Sequence, residues 1–506
     1  MEHHNGGDAQ RRPKATDQVY GVGVGQPERL SPGARLFRSR KLNCCIVVVM
    51  GCKTSVNPDV VKAGLKETLL HHPRFSSKMV GDLSRSGRMK WVPTHVNLDD
   101  HVIVPKIDGD MDSPDQFVQD YISYATKTPL DSSRPLWELH LLNIRTSDAE
   151  AVGLLRIHHS MGDGASLMSL LLACTRKTSD PESLPTVPTK NRAGSGRRPV
   201  ACFWWLFLAI LAAVKLICNT FVDLSLFFAT FLFLRDTETP IKGKLGVAMT
   251  MKRFVHRTVS LDDIKLVKNE LEMTINDVLL GVTQGGLSRY LARRYAADAK
   301  GENGSVRRTI RALKNIRLRA TVLVNLRPAA GIQALSDMMA EQSKMSWGNS
   351  IGYIVLPFSI GHQEDPLEYV RQAKSTIDRK KLSLEAILTH VTAEIVLKVL
   401  GVNAAAFISD RILFHTTMAF SNVVGPLEEI SFYGHPIAYL APSVHGHPHA
   451  LTIHYQSYAN KMVISLAVDP EVIPDPHQLC DDLEECLSGI KAAILREEKA
   501  PVSAEP

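Results

Sequence analysis

The chain has 506 residues, more than a single core ordinarily fills, so two domains are expected. Hydrophobic residues make up 44% and charged residues 22%, the proportions of a globular protein, and the net charge of +7 is mild. That balance suits anionic surfaces. It gives nucleic-acid binding little support, because the densest basic run, Arg307 to Arg319, holds no aromatic side chain for stacking and reads as a solvated loop feeding a strand over Ala320–Leu326.

In chain order, residues 1–30 read as a disordered segment, and Met1 to Gln26 lacks the apolar core of a signal peptide. The eight cysteines, Cys44, Cys45, Cys52, Cys174, Cys202, Cys218, Cys480 and Cys486, form no zinc-like paired spacing. Free thiols facing a reducing cytosol are therefore expected. Cys44–Met50 is a β-branched run suited to a buried strand, and Pro58–Leu70 has helical periodicity. Residues 31–176 form the first half of the chain.

Ala151–Ile157 is an apolar run of strand length. It leads directly into His158-His159-Ser160-Met161-Gly162-Asp163-Gly164. A helix follows over Ala165–Lys177, with Leu167, Leu170, Leu171 and Cys174 as its apolar stripe. The motif thus sits on a strand-to-helix turn. Successive strand residues point to opposite faces, so one histidine is expected to be chemical and the other structural. Histidine, with an ordinary pKa of about 6.5, is the side chain best matched to taking a proton from a poorly nucleophilic alcohol near neutral pH. Acyl transfer to a hydroxyl fits that pattern. An activated thioester donor needs no covalent acyl-enzyme, and no Gly-x-Ser-x-Gly nucleophile motif is present. Asp163 has two readings, shaping the turn through an ion pair or capping the following helix.

Lys177–Pro199 reads as a Pro/Ser/Lys-rich linker. The segment 200–235 then runs almost wholly apolar, with only Lys215 and Asp223 charged before Arg235, and with seven phenylalanines from Phe203 onward. Its length could span a bilayer, for which ~20 apolar residues suffice. A single crossing would separate His159 from Asn276 and Asn422, and two crossings would need ~40 apolar residues. A helical hairpin lying in the membrane, bent near Cys218-Asn219-Thr220 or Asp223, avoids both problems. Arg197, Arg198, Trp204, Trp205 and Arg235 are suitable interface anchors. A buried hairpin in a soluble protein is the other reading.

Residues 236–490 form the second half, with 491–506 as a disordered tail. A helix is expected over Val278–Tyr290 and another from Pro366 to Asp378, with strands at Ser350–Pro357 and Met462–Val468. His445, His447, His449 and His454 lack a cysteine or carboxylate among them, so they are expected to border a pocket or the surface, and no metal is assigned. Mixed strands and helices across two halves fit a two-domain α/β sandwich.

These segments resemble a known family. His158 to Gly164 is similar to the HHxxxDG signature of the coenzyme A-dependent acyltransferases. Pro135-Leu136-Trp137-Glu138, Asn276-Asp277-Val278-Leu279-Leu280 and Ser421-Asn422-Val423-Val424-Gly425-Pro426 resemble the PLW, ND and NVxGP blocks of the bifunctional wax ester synthase/diacylglycerol acyltransferases. Val324-Asn325-Leu326-Arg327 and Gly348-Asn349-Ser350-Ile351-Gly352 match in type and order. Leu30 to Arg35 and His71 to Phe75 look most like the plant members, while the DFGWG block of the soluble plant alcohol acyltransferases is missing.

The resemblance implies the coenzyme A-dependent acyltransferase fold, into which the apolar helical hairpin read above is inserted. It implies a fatty acyl-CoA donor as co-substrate, no resident cofactor, and a long-chain alcohol or diacylglycerol as acceptor. In that reading His159 is the general base, with His158 and Asp163 beside it, Asp163 paired with Arg327, and Gly162 and Gly164 structural. Asn276, Asp277, Ser421, Asn422 and Gly425 would bind substrate or the oxyanion, Asn422 above all. For Asn276-Asp277 a helix cap, and for Gly425-Pro426 an ordinary turn, are equal alternatives. The expected setting is the endoplasmic reticulum membrane, or the plasma membrane, with the catalytic part in the cytosol and no nucleic-acid partner. The sequence sets no oligomeric state. A same-fold enzyme for smaller alcohols and a non-catalytic membrane lipid-binding protein are the alternatives.

Overall fold

The computed structural model describes residues 27–81, 89–107, 111–188, 202–244, 246, 250–298, 313–327 and 347–497. Among them a short three-stranded sheet joins Glu28–Arg29 (β1), Ser77–Val80 (β3) and Lys90–Pro93 (β4) beside two larger sheets. The first large sheet has seven strands. Its centre is Cys45–Cys52 (β2), apolar and buried at every position. That is the pattern of a strand covered on both faces. β2 pairs antiparallel with Ala151–His158 (β7) on one side and His435–His445 (β14) on the other. Val102–Ile103 (β5) and Trp137–Leu142 (β6) extend the sheet beyond β7; Thr175–Lys177 (β8) and Ile430–Phe432 (β13) close the opposite edge.

The second large sheet has six strands. Its order is Ile351–Phe358 (β11), Leu318–Asn325 (β10), Met418–Val423 (β12), Leu451–Tyr458 (β15), Lys461–Val468 (β16) and Arg253–Ser260 (β9). β12 lies parallel between β10 and β15, which places the ends of β10 and β12 side by side. Behind this sheet pack Leu261–Glu270 (α6), Ile275–Asp298 (α7), Leu367–Lys381 (α8) and Pro476–Glu497 (α11), around a core that includes Val278, Leu287, Val370, Ile464 and Leu483. The helices close tightly because α7 carries glycine where its neighbours arrive: a Cβ on Gly281 would stand 2.4 Å from Val370, and one on Gly285 2.2 Å from the Cys486 sulfur. The remaining helices are Pro32–Phe37 (α1), Pro58–Glu67 (α2), Pro114–Lys127 (α3), Gly164–Ala173 (α4), Cys202–Leu232 (α5), Glu385–Val399 (α9) and Gly401–His415 (α10).

The two-half α/β layout is present, but the second half lends two strands to the sheet of the first. β13 and β14 lie in the second half of the sequence and complete the first sheet, so a boundary at 236 divides the sequence and not the sheets. β14 is buried through most of its length.

Several local expectations are corrected. The apolar segment is one unbroken helix of 31 residues, not a hairpin. It contains no glycine or proline to turn the chain. Its polar residues face the protein instead of a bend. Asn219 donates to the Leu382 carbonyl at 3.1 Å, Thr220 accepts from the Leu384 amide at 3.0 Å, and Asp223 pairs with Arg379 and Lys380 at 2.8 and 2.9 Å. The helix expected to reach Lys177 ends at Ala173, and Thr175–Lys177 pairs as a strand with β13.

The linker is held in part, since Thr186 donates to Glu428; residues 189–201 lie outside the described ones, as do Arg197 and Arg198. Ordered structure begins before residue 31, at β1, and continues past 490 to Glu497, while residues 1–26 and 498–506 lie outside the described ones. Of the basic run, Arg307 to Arg311 also lie outside them, but Arg319 is buried and paired with Asp236 at 2.6 Å. Cys44, Cys45, Cys52, Cys174, Cys218, Cys480 and Cys486 carry free thiols.

Candidate active site

β7 delivers the two histidines to the turn, and strand alternation sends them apart. His158 is the last strand residue. The Ser160 amide donates to its Nδ1 at 3.2 Å, which leaves Nε2 as the protonated nitrogen donating to Asn43 Oδ1 at 3.0 Å. Burial, and then the charges of Arg38, His159 and His445, push His158 down to about 3. It is a neutral, fully engaged ring.

His159 enters a cavity of about 870 Å³, which its ring helps to line. The backbone fixes it on both sides: its amide donates to the Cys44 carbonyl at 2.9 Å and its carbonyl accepts from Asn349 Nδ2 at 3.1 Å. The ring stacks on Phe37 with centroids 4.0 Å apart. Its Nδ1 is buried with no partner in hydrogen-bond geometry. Burial lowers its pKa, against the upward pull of its own carbonyl, Asp163 and Asn349. The imidazole is therefore neutral at neutral pH and available as a base.

Asp163 serves both readings at once. Its Oδ1 caps α4 by accepting from the Ser166 amide at 3.0 Å. Its Oδ2 accepts from Arg327 Nη1 at 2.6 Å and from the Ser350 amide at 3.0 Å. One carboxylate thus ties the turn to the end of β10 and the start of β11, across the junction of the two halves. Trp347 adds a second tie, donating from Nε1 to the Met161 carbonyl at 2.7 Å, and its ring fits because a Cβ on Gly162 would already stand 3.2 Å from it. Gly164 has open space beside it and lines the cavity.

The other proposed residues divide. Ser421 and Asn422 line the cavity with His159; Asn276, Asp277 and Gly425 do not. Asn276 reaches the site indirectly, since its Oδ1 accepts from Asn422 Nδ2 at 2.7 Å. An amide nitrogen carries two hydrogens, so Asn422 has a second donor. Asp277 caps α7, accepting from the amide and hydroxyl of Thr274 at 2.7 and 2.8 Å. Gly425 is required by packing, because a Cβ there would fall 2.0 Å from the Ser457 carbonyl oxygen.

The cavity is also lined by Phe37, Cys44 and Leu413, brought in from distant segments with no local pattern to mark them. His447, His449 and His454 line it too, matching the pocket-bordering expectation, the first two buried and His454 half-buried. Burial holds His449 near 3, and burial with the charge of His159 holds His454 near 4. Buried Nδ1 atoms of both lack a partner. Three neutral imidazoles thus line the cavity that His159 enters. Among the described residues no group of histidine, cysteine and carboxylate side chains is arranged to hold a metal.

Residues 57–279 match the wax ester synthase/diacylglycerol acyltransferase catalytic domain, and residues 347–491 the WS/DGAT C-terminal domain. Wax ester synthase/diacylglycerol acyltransferase 11 of Arabidopsis thaliana is 54% identical over 473 residues, 93% of this chain and 96% of that protein. Its relative numbered 5 is 54% identical over 481 residues, 93% and 94%. Among solved structures, the wax ester synthase/diacylglycerol acyltransferase from Marinobacter aquaeolei VT8 superposes with a TM-score of 0.55 at 17% identity, over 92% of this chain and 99% of that one. The first condensation domain of the CDA synthetase gives 0.53 at 12%, over 93% and 97%. These two likenesses show the fold: a coenzyme A-dependent acyltransferase-type α/β sandwich.

Proposed function

The chain belongs to the wax ester synthase/diacylglycerol acyltransferase family, and from that premise we propose that it joins a fatty acyl group from acyl-CoA to a long-chain alcohol, and to diacylglycerol, with His159 as the general base. The observation that carries this reading is the contrast between the two histidines: His158 is engaged at both ring nitrogens, whereas the neutral His159 faces a cavity of about 870 Å³.

In the proposed step the imidazole takes the proton of the acceptor hydroxyl while that oxygen attacks the thioester carbonyl. The tetrahedral oxyanion accepts hydrogen bonds from Asn422 and nearby backbone amides. It collapses with cleavage of the carbon–sulfur bond, and the imidazolium returns its proton to the departing coenzyme A thiolate. Asp163 and Arg327 hold the turn without taking a proton, and Asn276 positions Asn422. No acyl-enzyme is formed.

The acceptors and the ester partition into bilayers. Leu206–Leu232 is apolar enough to enter one, with a mean hydropathy of 1.9. The enzyme is proposed to work on the endoplasmic reticulum membrane with its site on the cytosolic side.

The test is ester formation in microsomes from cells lacking their own neutral-lipid synthases, with labelled palmitoyl-CoA and either hexadecanol or diacylglycerol. Wax ester or triacylglycerol that disappears with His159→Ala supports the reading, and their ratio names the preferred acceptor. Equal product from both proteins removes His159 as the base.

A further inference from the structure

The C-terminal part of α5 is fastened to the catalytic body. Besides the contacts of Asn219, Thr220 and Asp223, Arg411 donates to the carbonyls of Phe231 and Leu232 at 2.7 and 2.9 Å, and Arg319 reaches Thr230. The N-terminal part is different. Leu206, Phe207, Leu208, Ile210 and Leu211 are all exposed. At about 100° per residue these positions, with the exposed Ala212 and Ala213, leave only a strip of about 100° around the half-buried Ala209, and that strip too is apolar, so this part of the helix has no polar side. A protein partner would cover one side of such a helix. An apolar medium would cover all of it.

A second apolar surface lies beside it. Along α9, Leu384, Ile387, Val391, Ile395 and Val399 are exposed at helical spacing, and Leu400 follows at the turn into α10. The opposite face of α9 covers β11: Glu385 accepts from the Val355 amide and Thr389 from the Tyr353 amide, each at 3.0 Å. Ile351 and Tyr353 of β11 line the cavity. α9 is therefore the single layer between the cavity wall and the outside. α5 packs on α9 and α10, and its Thr220 meets the start of α9 at Leu384, so the two apolar surfaces are continuous.

The chain path then restricts how α5 can sit. Val187 and Pro188 line the cavity on the catalytic body, and after Leu232 the chain is back on it at Asp236, paired with Arg319. Residues 189–201 must reach the start of α5 from Pro188, and they include Lys190, Arg192, Arg197 and Arg198. If α5 crossed a bilayer, this stretch with its four cationic side chains would have to cross it too.

We propose that α5, the outer face of α9 and the Val399–Leu400 turn form one seat embedded in a single leaflet of a bilayer, so that α5 lies within the membrane without crossing it and the wall of the acyl cavity faces the lipid. The inference rests on the membrane reading above and adds the topology and the second element. Lys215, alone among charges on the free part of α5, reaches headgroups along its own stem. A lipid acceptor reaches the cavity past α9 from the leaflet that holds the enzyme.

The experiment uses the full chain in sealed microsomes with the catalytic body outward. Cysteines introduced by Ser195→Cys, ahead of α5, and by Glu270→Cys, on the body, are challenged with a membrane-impermeant maleimide in a Cys202→Ser/Cys218→Ser background. Equal modification of both in sealed vesicles is expected. Modification at 195 only after detergent would overturn the topology. Purified protein is then floated with phosphatidylcholine/phosphatidylserine vesicles, comparing wild type with Val391→Asp/Ile395→Asp at matched melting temperature. We expect about tenfold weaker binding for the variant, and equal binding would remove α9 from the seat. A wild type that never floats and instead forms a stable dimer through this face would overturn the membrane reading itself.

Discussion

Two regions of this protein bury a carboxylate at the junction of separate chain segments. In the catalytic turn, Asp163 takes Arg327 and the Ser350 amide from the second half of the chain. In α5, Asp223 takes Arg379 and Lys380 from the end of α8. Both ion pairs hold an element whose remaining surface is needed for something else. They differ in what is left over. Beside Asp163 stands a single imidazole held by its backbone and by Phe37, its ring turned to a cavity. Beside Asp223 stands an apolar surface several turns long. A buried pair fixes position in both places, and the uncommitted groups next to it show whether that position serves chemistry or docking.

The sharpest test removes the uncommitted group and spares the frame. His159→Ala should lower ester formation by about 10²–10⁴-fold with little change in melting temperature. His158→Ala should do the reverse: leaving Asn43 and Ser160 without their partner should cost about 1–3 kcal/mol in stability, with a smaller loss of turnover. If both variants lose activity alike at unchanged stability, the division of roles between the histidines is wrong.

The frame itself comes next. Arg327→Met leaves the Asp163 carboxylate buried and unpaired, at a cost of about 3–5 kcal/mol in chemical denaturation. Adding Asp163→Asn should restore part of it, since the amide removes the stranded charge.

Acid should separate the regions as well, because the catalytic region is rich in neutral histidines and α5 has none. His158, His449 and His454 are held at about 3, 3 and 4 when folded. Their folded values lie below the ordinary 6.5. Above that pH both states are neutral and nothing is lost; as pH falls through 6.5 the unfolded chain gains protons that the native one refuses. Each should cost about 1.4 kcal/mol one unit below 6.5. Thermal melts from pH 7.5 to 5.5 should therefore show a falling melting temperature. Turnover should lose activity with an apparent pKa below 6.5, because burial lowers His159.

The smallest effect belongs to α5. Asp223→Ala leaves Lys380 paired with Glu385 at 2.6 Å and Arg379 partly in water, so about 1–3 kcal/mol is expected. Amide exchange should rise across 202–232 and stay unchanged at 158–164. Equal loosening of both regions would mean the two anchors are one unit.

By itself the sequence determined what depends on neighbouring residues. The apolar runs Cys45–Cys52 and Lys461–Val468 and the periodicity of Pro58–Glu67 specify strands and helices to within a few positions. The turn at 158–164 is legible because its histidines, glycines and aspartate are contiguous. Alternation along β7 already requires the two rings to diverge. Tertiary structure decided the rest. Nothing local says that His159, not His158, faces the cavity, that β14 returns to complete the first sheet, or that Phe37 stacks on the base. The polar residues of α5 read as a break because, within the segment, they interrupt an apolar pattern. Their partners, Arg379, Lys380 and the Leu384 amide, stand some 150 residues further along, about 156 for the first pair. Period is set by backbone geometry within a few residues, whereas a buried polar group takes its meaning from whichever distant group satisfies it.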